Sequence, residues 1–282
     1  MTNRQLYDKV SFGAAAMVTK KYSSSFSRSI LFLSPEIRRN IYNIYGFVRL
    51  ADEIADTFHI PQKEEMFNEF CQEYQHSLQR GISTNPIIHA FIVTQQKYAI
   101  PQHLVDSFLH SMRMDLGDMQ HLTGQKYREY IYGSAEVVGL MCLVVFVRGD
   151  QDKYQQLKPY AQSLGAAFQK VNFLRDLQAD YSQLNRSYFP GIDFDQFTDT
   201  DKIQIEREIQ NDFDHAIQGI RQLPIDSRYA VYLAYKYYNR LLSKIKKRTP
   251  HHIQHHRVRV NNFEKVVLFS KVMVYKTIKI TK

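Results

Sequence analysis

The chain has 282 residues, 44% of them hydrophobic, with only 11 Gly, 8 Pro and 2 Cys, so it can build one large core and is too poor in breakers and low-complexity tracts for disorder. Cys71 and Cys142 form no disulfide framework or metal knuckle, and MTNRQLYDKVSF lacks a signal peptide's apolar run, which together predict a reducing, cytoplasmic setting. Lys and Arg number 37 against 28 Asp and Glu, a net charge of +9, which favours an anionic partner: nucleic acid, a phosphorylated small molecule or an anionic membrane.

Ser34-Pro35-Glu36 is a helix start, with Ser34 as N-cap and Pro35 at the first helical position. The helix it opens carries Ile37, Ile41, Ile44, Tyr45 and Val48 at three- and four-residue spacing and runs to about Thr57. Further helices are predicted over Lys63 to Gln79, Pro86 to Lys97, Pro101 to Met119, Lys126 to Phe146 and Lys158 to Tyr181. Three more follow: Asp201 to Gln222, Ser227 to Lys246 and Asn261 to Lys276, the last with β-branched residues that also suit a strand. No segment alternates strictly with period two, and no run of about twenty apolar residues marks a membrane span. The expectation is an all-α single domain of about nine helices over residues 1–282, without internal repeats.

Two acidic constellations stand out. In RLADEIAD, Arg49, Asp52 and Asp56 fall on one helix face. In QKVNFLRDLQAD, Asn172, Asp176 and Asp180 stack at four-residue steps, with Gln169 one turn before. Each segment presents two carboxylates one turn apart, roughly 6 Å between Cβ atoms. Carboxylates so close repel unless a cation lies between them. Mg²⁺ suits the need, since it takes one or two carboxylates and completes its shell with water and phosphate oxygens. Arg49 and Arg175 beside them can bind the same phosphates. Taken singly, each pair also fits a solvated, salt-bridged helix face.

YGFVRLADEIAD and FQKVNFLRDLQADYSQLNRSYFP resemble the two signature regions of the squalene and phytoene synthase family. YSSSF (Tyr22 to Phe26), SMRMDL (Ser111 to Leu116) and the Tyr130-Ile131-Tyr132 to Met141 stretch resemble three further family segments, in family order, within residues 22–190. The resemblance implies an isoprenoid-synthase-type helical bundle around a central apolar cavity. It also implies Mg²⁺-dependent head-to-head condensation of two prenyl diphosphates through a cyclopropyl diphosphate, with Mn²⁺ as a substitute ion and no NADPH.

By the same resemblance, Asp52, Asp56, Asp176 and Asp180 hold the metals with Asn172 assisting. Ser23, Ser25, Arg49, Arg175, Arg186 and Tyr188 lie at the diphosphates, and Phe26, Tyr45, Tyr130, Ser134, Val138 and Gln169 line the cavity. Geranylgeranyl diphosphate giving phytoene is the leading substrate. Alternatives are a squalene or dehydrosqualene type using farnesyl diphosphate, and an inactive relative acting in assembly. Two departures are expected to matter differently: Glu53 points away from the metals, and Glu136 stands on a cavity helix where burial is costly unless paired.

The pairs His251/His255 and His252/His256 in HHIQHH have helical metal-site spacing, but Arg257 and Arg259 follow, and a solvated basic turn is expected. The basic residues 261–282 either pack or rest on an anionic membrane. A nucleic-acid partner is not expected, because the acidic columns make no basic reading face.

Overall fold

The computed structural model describes residues 1–58, 60–117, 123–184, 188–192 and 196–280, with the side chains of 24, 179–184 and 278–280 excepted. Among these residues no strand occurs. Helix α1 (Asn3–Tyr22) starts on a reciprocal capping box between Thr2 and Gln5, and α2 (Ser24–Ile30) on Ser23, whose hydroxyl accepts from Phe26 N–H. Then come α3 (Pro35–Asp56), α4 (Lys63–Arg80), α5 (Pro86–Tyr98) and α6 (Gln102–Met114). Gly81 ends α4 in the left-handed region at φ 70°, where a Cβ would be strained.

A continuous helical run follows: α7 (Gly124–Ile131), a π turn (Tyr132–Glu136) and α8 (Val137–Phe146). By length and composition it could cross a membrane, yet more than half of its apolar window is buried inside the protein. Last come α9 (Gln151–Leu184), α10 (Asp199–Ile220), α11 (Ile225–Ile245), α12 (Pro250–His255) and α13 (Asn262–Ile280).

The N-terminal helices α1 and α2 were not anticipated, and their chemistry explains why. The buried side of α1 is Ser11, Ala15 and Thr19, small residues that give no apolar periodicity. They allow close approach instead: an added Cβ on Gly46 of α3 would sit 3.1 Å from Ala15 Cβ. At Ser34 the cap position is as expected, but its hydroxyl makes no capping bond, and Pro35 alone shapes the start of α3.

Helix α9 organises the rest. Its 34 residues span about 50 Å, and it packs against α8, α10, α11, α12 and the π turn. The π turn is pinned by two glycines. An added Cβ on Gly133 would lie 2.4 Å from the Ser107 carbonyl oxygen of α6, and one on Gly165 of α9 would lie 2.7 Å from the Ala135 carbonyl oxygen. Extra methyl groups cannot enter such contacts without moving backbone. A core around α3, α5, α6 and α8 centres on Phe47, stacked on Phe91 at 4.1 Å. A second joins α9, α10 and α11.

Candidate active site

Between these two cores lies a cavity of about 410 Å³, and each helix around it contributes one stripe. On α3, burial of Ile37, Ile44, Phe47 and Ala51 turns the neighbouring stripe, Ile41, Tyr45, Val48, Arg49 and Asp52, into the cavity. Helix α9 answers with Leu157, Ala161, Gly165, Gln169 and Asn172, steps of three and four residues that hold one helical face. The π turn and α8 add Ser134, Val138, Cys142 and Phe146, and α11 adds Ala230, Ala234 and Tyr238. All the stripes run the same way: polar at one end, purely apolar at the other. Asp52 of the first acidic column and Asn172 of the second, 120 residues apart in sequence, thus line one cavity, while Asp56 and Asp176 are not part of its lining.

Charge at the mouth is concentrated. Arg49 Nη1 donates to Asp52 Oδ2 at 2.5 Å, its other terminal nitrogen pairs with Glu53, and its guanidinium lies 4.6 Å from the centre of the Tyr22 ring. Glu53 therefore shares an arginine with Asp52 rather than standing aside. Burial drives the Asp52 carboxyl up to about 6, Arg49 opposes this, and Asp56 and Glu53 reinforce it. Burial likewise lifts the Tyr45 hydroxyl to about 12, where it is neutral, and its ring stacks on Phe26 at 4.9 Å.

Three buried polar atoms of this lining have no hydrogen-bond partner in the structure: Arg49 Nε, Ser134 Oγ and Asn172 Oδ1. Buried polar groups are nearly always satisfied, so three orphans in one cavity indicate a ligand's place. The available donors are carboxylate and amide oxygens, the set a hard cation takes when phosphate oxygens complete its shell. Among the described residues, no three His, Cys, Asp or Glu side chains converge into a closed metal cage, and a hard cation whose shell phosphate oxygens complete would need none.

A second hollow of about 390 Å³ adjoins the mouth, sharing Ser23, Ser25, Tyr237 and Tyr238 with the cavity. Among the described residues, its walls carry Arg175, Arg257, Arg259 and Lys265 and no carboxylate. Burial lowers the Lys265 ammonium, and Arg28 and Arg175 lower it further. Just outside, Asp176 accepts from Arg175 Nε at 3.0 Å and pairs with Arg257 Nε at 2.7 Å. The sequence reading treated the stretch after HHIQHH as a solvated turn. The histidine pairs are indeed stacked on α12, 4.3 and 4.7 Å between ring centres, but the following arginines enter the site. The available signal was Arg-Val-Arg-Val in an extended segment next to histidines, which composition alone does not distinguish from a solvated turn.

Of the other expected residues, Ser23, Ser25, Phe26, Tyr45, Ser134, Val138 and Gln169 line the cavity. Tyr130 and Tyr188 do not. Tyr130 is buried behind the wall, its hydroxyl donating to both oxygens of Asp115 at 3.0 and 3.1 Å. Tyr188 stacks on Phe173 at 4.0 Å and on Tyr130 at 5.6 Å. Asp56 sits at the last residue of α3, one turn past Asp52. The backbone of Asp180 continues α9, its side chain lies outside the described residues, and Arg186 lies wholly outside them. Glu136 is half-buried and accepts from Gln162 Nε2 at 2.9 Å, so the pairing its burial required exists, although burial still raises its pKa.

A helical bundle closed around an apolar cavity with a charged mouth is the all-α isoprenoid-synthase fold. A solved dehydrosqualene synthase in complex with ligand superposes with a TM-score of 0.78 at 21% identity, covering 96% of this chain and 98% of that one. The model of the squalene/phytoene synthase family matches residues 19–264, and the chain belongs to that family. It is 27% identical over 246 residues to phytoene synthase 1, chloroplastic, of Arabidopsis thaliana, covering 81% of this chain and 58% of that protein. It is 23% identical over 247 residues to the 4,4'-diapophytoene synthase of Staphylococcus haemolyticus, covering 82% and 85%.

Proposed function

We propose that this chain, acting as a single domain, is a prenyltransferase that condenses two geranylgeranyl diphosphates head to head to phytoene through a cyclopropyl diphosphate. The carrying observation is the orphaned polar trio beside Asp52 at the mouth of an otherwise apolar cavity. Asp52, Asp56, Asn172, Asp176 and Asp180 would hold Mg²⁺, or Mn²⁺ in its place, and the ion supplies positive charge that stabilises the departing diphosphate.

The chain's own groups do the rest. Arg49, Arg175, Arg257 and Lys265, with Ser23 and Ser25, grip diphosphate oxygens at the mouth and in the adjoining basic hollow. Arg186 joins them. The deeper wall excludes water, which would quench an allylic cation. Phe26, Tyr45 and Phe168 offer ring faces to that cation, and the Tyr130–Asp115 bond, with Tyr188 stacked on Tyr130, ties α6 to α7. Product forms by proton loss, so no NADPH is needed.

Chain length follows from depth. The lining along α9 runs from Asn172 to Leu157, about 22 Å at roughly 1.5 Å per residue, which favours the longer prenyl chain. The farnesyl alternative is supported by the diapophytoene synthase relative, which this chain matches over 85% of its length. Incubation with each diphosphate and Mg²⁺, with mass spectrometry of the hydrocarbon, tests both. Phytoene from geranylgeranyl diphosphate is expected. Dehydrosqualene from farnesyl diphosphate alone overturns the chain length, and release of neither hydrocarbon nor diphosphate overturns the activity.

A further inference from the structure

At the end of the cavity away from the charged mouth, one aromatic side chain has a mounting of its own. Counted along α9, the lining leaves the mouth at Asn172 and ends on Ala161, Tyr160 and Leu157, which puts Tyr160 about 18 Å along the helix axis at roughly 1.5 Å per residue. Facing it from α10, Ala216, Gly219 and Ile220 are small or aliphatic. Gly219 is required by the tyrosine: an added Cβ would lie 2.3 Å from Tyr160 Cβ and 2.6 Å from its Cγ. Tyr160 thus occupies the volume that a side chain at position 219 would fill, and no larger residue enters there while the ring stays.

Behind the ring stands a hydrogen-bonded brace. The Tyr160 and His215 rings lie 4.6 Å apart between centres, and His215 is exposed. Tyr160 therefore has the cavity on one side and the outer surface on the other. Ser163 Oγ donates to the Pro159 carbonyl at 3.2 Å. With its one proton spent there, the same oxygen accepts from His215 Nδ1–H at 2.8 Å, which fixes the tautomer and orientation of the imidazole. Tyr160 is held between a glycine that cannot grow and a histidine that cannot turn without losing a hydrogen bond.

We propose that Tyr160 is a specificity-determining residue: it is the stop that the distal end of the prenyl chain meets, and it sets the longest chain the cavity accepts. The assignment rests on the prenyl diphosphate reading of the cavity. A diphosphate gripped at the mouth fixes one end of the substrate, so every added isoprene unit must fit between the mouth and this ring. A chain one unit too long presses on ring atoms that can retreat neither toward Gly219 nor past His215, and such overpacking weakens binding. Without the ring, the cavity opens toward the surface beside His215, and the terminal unit passes into that opening.

The test reads binding rather than turnover. Kd is measured by calorimetry with Mg²⁺ for prenyl thiolodiphosphates of three, four and five isoprene units, in which sulfur replaces the bridging oxygen and ionisation is suppressed. In wild type the affinity should fall about tenfold or more at one step of the series, from four units to five on the geranylgeranyl reading. Tyr160→Ala should shrink that step to about threefold or less. Tyr160→Leu, which keeps more of the packing and is the variant to read if the alanine form does not fold, should shrink it in the same direction. Tyr160→Phe keeps the ring and should keep the wild-type profile. An unchanged step in folded Tyr160→Ala or Tyr160→Leu protein overturns the proposal and leaves the substrate reading standing, and so does the absence of any step in wild type. A step that disappears in Phe146→Ala instead also overturns it, since Phe146 lines the same cavity. If no analogue binds wild type, the substrate reading falls and the stop falls with it.

Discussion

Replacing Asp52 by Asn in metal-free protein is expected to strengthen the fold while removing activity. An aspartate carboxyl ordinarily titrates near 3.8, and burial moves that of Asp52 to about 6 against the pull of Arg49. Between those values the folded chain keeps a proton that the unfolded chain has lost. The contribution of this group to stability is therefore complete below pH 3.8 and is lost as pH rises through 6. Roughly two pH units at 1.36 kcal/mol each set an upper bound of about 3 kcal/mol. The side chain is 30% exposed, and solvent screening reduces this to about 1–2 kcal/mol. Asparagine mimics the protonated acid, so Asp52→Asn should gain that amount at pH 8 in EDTA, and less at pH 5. Urea unfolding at both pH values measures it. Turnover with Mg²⁺ should fall about 10²-fold, the usual loss when a preorganised charge is removed. A variant less stable than wild type at pH 8, or a gain unchanged between pH 8 and 5, would refute the reasoning.

Gly165→Ala places a methyl 2.7 Å from the Ala135 oxygen and 2.9 Å from Glu136 Cα; it should cost about 1–3 kcal/mol, read as a lower urea midpoint, and an unchanged midpoint would deny the close contact. Arg257→Ala should leave stability within about 0.5 kcal/mol because its pair with Asp176 is half exposed on the arginine side. The same change should weaken inhibition by inorganic diphosphate about tenfold or more, and unchanged inhibition would remove Arg257 from the site. Cys142→Phe fills mid-cavity space, so the variant should favour farnesyl over geranylgeranyl diphosphate in direct competition; an unaltered preference would place the prenyl chain elsewhere.

The acidic columns were legible because helical spacing turns sequence into geometry: Asp52 and Asn172 needed only one periodicity each to be set on a face. The convergence of Arg257 and Lys265 on Asp176 and Ser23 was not legible, since it depends on how an extended segment folds back over α9 and α11. The π turn was equally hidden, because its cause is tertiary: Gly133 and Gly165 permit backbone contact with α6 and α9 that no local pattern records. Tyr130 shows the reverse case. Its place in a recognisable segment was readable, but its commitment to Asp115 depends on α6 and α7 meeting, and that bond turns the hydroxyl away from the cavity.

Part of the cavity wall is built from residues with little or no side chain. Ala161, Ala216, Ala230 and Ala234 line it together with Gly139 and Gly165. The two glycines are fixed, since an added Cβ on either would press against a neighbouring carbonyl oxygen, 3.1 Å away for Gly139. The alanines instead border the open space of the cavity. Alanine and valine codons differ by one nucleotide, so single mutations at these positions can shallow the tunnel while every helix stays where it is. Lineages built on this architecture can therefore drift between hydrocarbon lengths without passing through an unfolded ancestor.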